Sequence, residues 1–237
     1  MIMFDINKEQ ILCAKENLKM RKSMISFDTL GRTLAYSPYM PRIEREFFIR
    51  QDSNSPKVAT RFCIQDDFDE VMFLKEASEI EQSQPHNVLL LDLGAQYVHS
   101  GKVGLDSRLE SISLLRRHST LPIIHADIFL DAYQILESAL FGADTLLFSA
   151  AALESKALKE LLQFAWRLSF DVFVAVRDKD ELKKAIFSGA NMLFIPQEKF
   201  GELLSLVPNS QVIATDCFDE YGVDMWILSK NSKLSNN

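Results

Sequence analysis

Eight short apolar runs, separated for the most part by helical patterns, constrain this chain more than any other feature. They are KVATRFCI (57–64), NVLLLDL (87–93), LPIIHADI (121–128), TLLFSA (145–150), DVFVAV (171–176), MLFIPQ (192–197), QVIATDC (211–217) and MWILSK (225–230). Most are continuously apolar instead of alternating, which is what strands covered on both faces require. The segments between them carry helical spacing. In ALESKALKELLQFAWRL, Leu153, Ala157, Leu158, Leu161, Leu162, Ala165 and Leu168 fall on one face. Asp131 with Gln134, and Asp178 with Glu181, have capping-box spacing, and Gly142 and Gly189 stand where helices end.

Alternating strands and helices in this number predict a parallel (βα)8 barrel of the TIM type. The last helices are trimmed: little chain is left after the seventh and eighth runs. A doubly wound sheet is the competing architecture. Its phosphate turn is missing, because the only G-x-G-like spacing, Gly101 to Gly104, falls in a loop. The whole chain, 1–237, reads as one barrel domain. Residues 1–56 form an N-terminal helix (5–22) and an extended segment (31–42, GRTLAYSPYMPR) packed on it, and RQDSNSPK (50–57) is a loop by composition.

A net charge of −7 argues against nucleic-acid binding. The apolar runs are too short to span a bilayer, so no membrane role is expected. Three well-separated cysteines, Cys13, Cys63 and Cys217, suit a reduced compartment, and the chain reads as cytoplasmic. Cys63, His125 and Cys217 would have to converge to bind a metal and lack an evident fourth ligand, so buried cysteine packing is the better reading and no metal or other cofactor is expected.

In such barrels function sits at the C-terminal ends of the strands. There the sequence offers Arg61, Asp92, His125, Asp127, Arg177, Asp216 and Lys230, of which His125, Asp127, Arg61 and Arg177 are the candidates for chemistry. His125 leads because imidazole titrates near neutrality. None of these groups has the spacing of a known catalytic set, and each is also an ordinary polar rim residue. The turns after the seventh and eighth strands usually cradle phosphate with glycines. Here they read FDEYGVD and SKNSKLSNN, so sugar-phosphate binding is expected to be weak or absent, with only Lys230 and Lys233 to attract an anion.

The stretch LPIIHADIFLDAYQILESALFGADTLLF (121–148) resembles LPLLRKDFIxDxYQIxEAxxxGADxxLL of the indole-3-glycerol phosphate synthase family, and the next two β/α units, 158–195, are similar to that family too. FDTLGRTLAYSPYMPR is similar to the N-terminal segment of some members. The resemblance implies a barrel of tryptophan biosynthesis that closes an indole ring with loss of carbon dioxide and water, using strand-end lysines and glutamates. Carried over by position, those residues are not kept. The strand-1 Glu-x-Lys pair falls on Thr60 and Phe62, and the lysine of Arg-Lys-Asp-Phe on Ala126, beside a retained Asp127. The strand-5 glutamate falls on Ala175, with Arg177 replacing the family's histidine. The strand-6 asparagine falls on Pro196, the strand-7 Glu-Ser-Gly on Thr215 to Cys217, give or take one residue, and the strand-8 glycine-serine turn on Ser229-Lys230. Three functions follow as expectations. The first is a non-catalytic binding or regulatory barrel with an unknown protein partner. The second is an enzyme of altered chemistry built on the four candidates. The third is an active synthase.

Overall fold

A computed structural model describes residues 4, 6–51, 55–65, 68–83, 87–96, 107–218 and 222–229. Eight parallel strands close into a barrel in sequence order: β1 (Lys57–Cys63), β2 (Asn87–Asp92), β3 (Ile123–Ala126), β4 (Thr145–Ser149), β5 (Asp171–Ala175), β6 (Met192–Phe194), β7 (Val212–Thr215) and β8 (Met225–Ser229). The first and last strands pair over five positions, from Lys57 with Met225 to Arg61 with Ser229, so the sheet has no free edge. Each strand is shorter than its apolar run, because the flanking residues turn into the loops.

Six helices cover the strands from outside: α4 (Glu70–Ser83), α5 (Glu110–His118), α6 (Ala132–Phe141), α7 (Ser155–Arg167), α8 (Lys179–Ser188) and α9 (Gln197–Leu204). Between β7 and β8 no helix occurs among the described residues. The predicted caps operate. Asp131 and Gln134 form a reciprocal capping box on α6, and Gly142 ends that helix with φ +90°. The Asp178 side chain accepts the Glu181 N–H of α8. The Glu181 carboxylate does not complete that box; it accepts the backbone N–H of Arg177 instead, at 2.8 Å.

Pleating sorts the strand residues into two cores. Leu89, Leu91, Ile123, Leu146, Phe148, Val172, Val174 and Leu193 pack outward under the helices. Ala59, Leu90, Ile124, Ala126, Leu147, Phe173, Ala175, Phe194 and Ala214 fill the interior. The interior is therefore a packed apolar core, as expected for a small barrel. Phe48 joins it from below, stacked edge-on against Phe173 at 5.1 Å.

Two N-terminal expectations need correction. The first helix, α1, spans Lys8–Met24, with Asn7 as its cap in a capping box with Gln10. Its buried side is mostly polar: Gln10, Asn17 and Arg21 accompany Ala14 and Leu18. The reason is a buried ion pair, Arg21 to Glu137 of α6 at 2.7 Å, while Leu12 faces water. The segment 31–42 is not extended throughout. Residues Phe27–Leu34 form helix α2, capped by Ser26, and Leu30 packs on Tyr133 and Leu136 of α6. A third short helix, α3 (Arg45–Phe48), delivers Phe48 to the barrel floor.

Asp144, fully buried at the start of β4, fixes the strap between α2 and α3. It accepts from the Arg42 and Arg116 guanidinium groups, both at 2.6 Å, and from the backbone N–H groups of Arg42 and Ile123. Asp144→Ala leaves two guanidinium groups without their shared counterion at a dry site. The expected loss is about 3–5 kcal/mol of unfolding free energy, measured by urea denaturation; a loss below about 1 kcal/mol would show that the strap is held by other contacts.

Candidate functional site

The mouth of the barrel, at the C-terminal ends of the strands, follows from register. On β3, His125 pairs with Leu91 and Leu146, both outward residues, whereas Ala126 pairs with Asp92 and Leu147. His125 therefore faces the helix layer and not the mouth. It is 1% exposed, its Nδ1 lies 2.8 Å from Ser138 Oγ, and its ring meets Phe129 at 5.1 Å. The Ser138 hydroxyl donates to Gln134 O, so the hydrogen between Ser138 and His125 sits on Nδ1. This histidine pins α6 to β3.

The other candidates are engaged locally and do not converge. Asp127 accepts from the Ile128 N–H at 2.7 Å and from the Gln134 amide at 3.3 Å, serving the turn into α6. Arg177 pairs with Glu181 at 2.8 Å. Arg61 stands at an inward register on β1, and its Nε and Nη2 donate to Asp92 Oδ2 at 2.9 and 2.5 Å. Burial works against the Arg61 charge, but Asp92, Cys63 and Asp216 together outweigh it and hold the guanidinium above its ordinary pKa. Asp92 Oδ1 accepts the Ala95 N–H at 3.0 Å, so this carboxylate is committed at both oxygens.

Register also decides which way the positions singled out by the resemblance face. Thr60 pairs with Leu89 and Leu228, and Phe62 with Leu91, so both lie on the outward face. The inward residues beside them are Ala59 and Arg61. Thr215 pairs with the outward Trp226, and its inward neighbour is Ala214. Asp216, one residue on, accepts the Gln197 N–H at 2.7 Å and acts electrostatically on Arg61. Ala126 and Ala175 do face inward, at 1% and 3% exposure. Four of the inward positions, Ala59, Ala126, Ala175 and Ala214, thus carry only methyl groups.

Sequence reasoning passed over Phe4. Its ring packs edge-on against inward-facing Phe194 at 5.0 Å, and the Arg61 guanidinium carbon lies 5.3 Å from its centre. The N-terminal segment thus places an aromatic ring over the interior at the mouth. The signal was an apolar start, MIMF, ahead of a polar helix. Around the mouth and its rim, Arg61 and Arg177 stand among Asp92, Asp127, Asp216 and Glu181. Among the described residues acids outnumber bases there, and both of these arginines have carboxylate partners. Lys230, Lys233 and the Gly101–Gly104 loop lie outside the described residues. Among the described residues no cluster of three His, Cys, Asp or Glu side chains is placed to hold a metal, and no helix is long and apolar enough to cross a membrane.

Comparison with known proteins agrees on ancestry. A family model described as indole-3-glycerol phosphate synthase matches residues 105–203. The indole-3-glycerol phosphate synthase of Campylobacter jejuni subsp. doylei is 32% identical over 244 residues, covering 91% of this chain and 90% of the relative. That of Campylobacter hominis is 29% identical over 252 residues, covering 94% and 92%. Among solved structures, the tryptophan synthase α2β2 complex of Pyrococcus furiosus contains a chain matched with TM-score 0.55 at 13% identity, over 73% of this chain and 86% of that one. KGPDC from Streptococcus mutans matches with TM-score 0.55 at 12% identity, over 73% and 87%. These two likenesses concern the fold alone.

A mouth whose two described arginines are engaged by carboxylates should hold phosphate poorly. Calorimetry with ribulose phosphate or glycerol phosphate is expected to give nothing tighter than about millimolar, on the order of −4 kcal/mol. Micromolar binding would contradict the electrostatic reading of the mouth.

Proposed function

The chain belongs to the indole-3-glycerol phosphate synthase family, and from that premise we propose that it keeps the family's barrel without the family's ring-closing reaction. One observation carries the reading: Ala126, the residue on which the resemblance puts the family's strand-3 lysine, faces the barrel interior. A methyl group cannot give a proton to the ketose oxygen. Ala175 stands likewise where the resemblance puts a glutamate, and the strand-1 glutamate falls on Thr60, beside inward-facing Ala59, so neither position offers a carboxylate for the later proton transfers. Arg61 keeps a cation near the strand-1 lysine seat, but a guanidinium bound to Asp92 is a poor acid. Acid–base and electrostatic groups are worth roughly 10²–10⁴-fold each. Their losses do not simply multiply, yet two or three together suffice to silence the reaction. On this reading the barrel works by binding, with a protein as the proposed class of partner, in the cytoplasm.

A second reading is an active synthase, and the names of relatives aligned over nine-tenths of the chain favour it. It requires that other groups take over the proton transfers, Asp92 and Asp216 being the inward carboxylates at hand. The altered-chemistry reading loses its best residue, because His125 lies outside the barrel wall.

Complementation of a tryptophan auxotroph lacking the synthase separates the two, paired with an indoleglycerol phosphate assay on purified protein. No growth and no product are expected, from the chain itself or from Ala126→Lys, since one restored group leaves the other two seats empty of carboxylate. Growth with the unmodified chain would establish the active synthase.

A further inference from the structure

Phe194, the last residue of β6, ends the packed interior at the mouth. It stands between Ala175 of β5 and Ala214 of β7 in the strand register. Two methyl groups leave the space beside its ring unfilled by the flanking strands. The Phe194 ring is nevertheless fully buried. Phe4, itself partly buried, packs edge-on against it, with ring centres 5.0 Å apart and planes at 89°, the edge-to-face geometry that aromatic pairs favour. The Arg61 guanidinium carbon lies 5.3 Å from the centre of the Phe4 ring, within cation–π reach.

Phe4 reaches this seat at a conformational cost. Its φ of +62° falls in the left-handed region, where a bulky side chain is rarely found; among the described non-glycine residues only Ser169 shares it. Such a backbone persists where surrounding contacts over-determine it. The ring is also held from behind. Asn7, three residues on, caps α1, and the buried Arg21–Glu137 pair pins α1 to α6. Residue 4 itself belongs to none of the eight strands. The ring can therefore leave its seat while every strand pairing stays intact.

We propose that Phe4 is an internal plug: its ring closes the mouth of the barrel, and a small uncharged aromatic molecule can take its place beside Phe194 when it swings out. The seat suits such a ring because Phe194, Ala175 and Ala214 supply apolar surface, and the charge of Arg61 is already met by Asp92. The plug governs access and not chemistry, so it stands whether or not the barrel is catalytic.

The test titrates toluene into the full chain, with alanine methyl groups isotopically labelled and followed by NMR. Phe4→Ala is expected to bind toluene at least about tenfold tighter than the unmodified chain, and the Ala175 and Ala214 methyl signals should move as it saturates. Phe4→Gly removes the ring equally and suits the positive φ, so it decides the matter if Phe4→Ala does not fold. Equal toluene affinity with and without the ring, or saturation that leaves the Ala175 and Ala214 signals in place, would each overturn the plug.

Discussion

The pairing of β1 with β8 governs everything else in this molecule. Once Lys57 aligns with Met225 and Arg61 with Ser229, the sheet is closed and every strand has a fixed inner and outer face. A strand in an open sheet can slip and still bury its apolar residues against one layer or the other. In a closed ring each register is bounded by two neighbours, and a one-residue shift would exchange the two faces. The identity of the mouth residues is thus a property of closure and not of any loop. Closure makes Ala59, Ala126 and Ala175 interior residues and makes His125 a brace for α6.

That same constraint explains what could be read from the residues. The existence of the strands was legible in runs such as NVLLLDL, and the helix ends in Asp131, Asp178, Gly142 and Gly189, because burial and capping leave local chemical marks. Facing was not legible. A strand apolar on both sides has no alternation to show which side is which, so Thr60 and Phe62 passed for mouth residues and His125 for a catalytic candidate. The inward seats Ala126 and Ala175 were found through a family motif, which carries parity implicitly.

The N-terminal segment shows a different limit. Helix α1 buries Gln10, Asn17 and Arg21, a stripe that hydropathy reads as solvent-facing. Its logic lies 116 residues away, in the carboxylate of Glu137. Tyr133 reinforces the dock by donating from its hydroxyl to the carbonyls of Arg21 and Ile25. Such an interface exchanges hydrophobic area for a buried ion pair, which specifies position more strictly than it stabilises. The strap beyond α2 follows the same logic at Asp144, where two arginines from distant segments share one carboxylate.

Phe4 sits only three residues before the Asn7 cap of α1, and α1 is anchored to α6. Its ring is accordingly a tethered occupant of the mouth, present at an effective concentration in the millimolar range set by a short tether. Any molecule entering from outside competes with a group that never diffuses away. A compound that would bind the open barrel with a given Kd is held weaker by the ratio of covered to uncovered mouths. Replacing Phe4 would uncover the interior beside Phe194 without touching any of the eight strands.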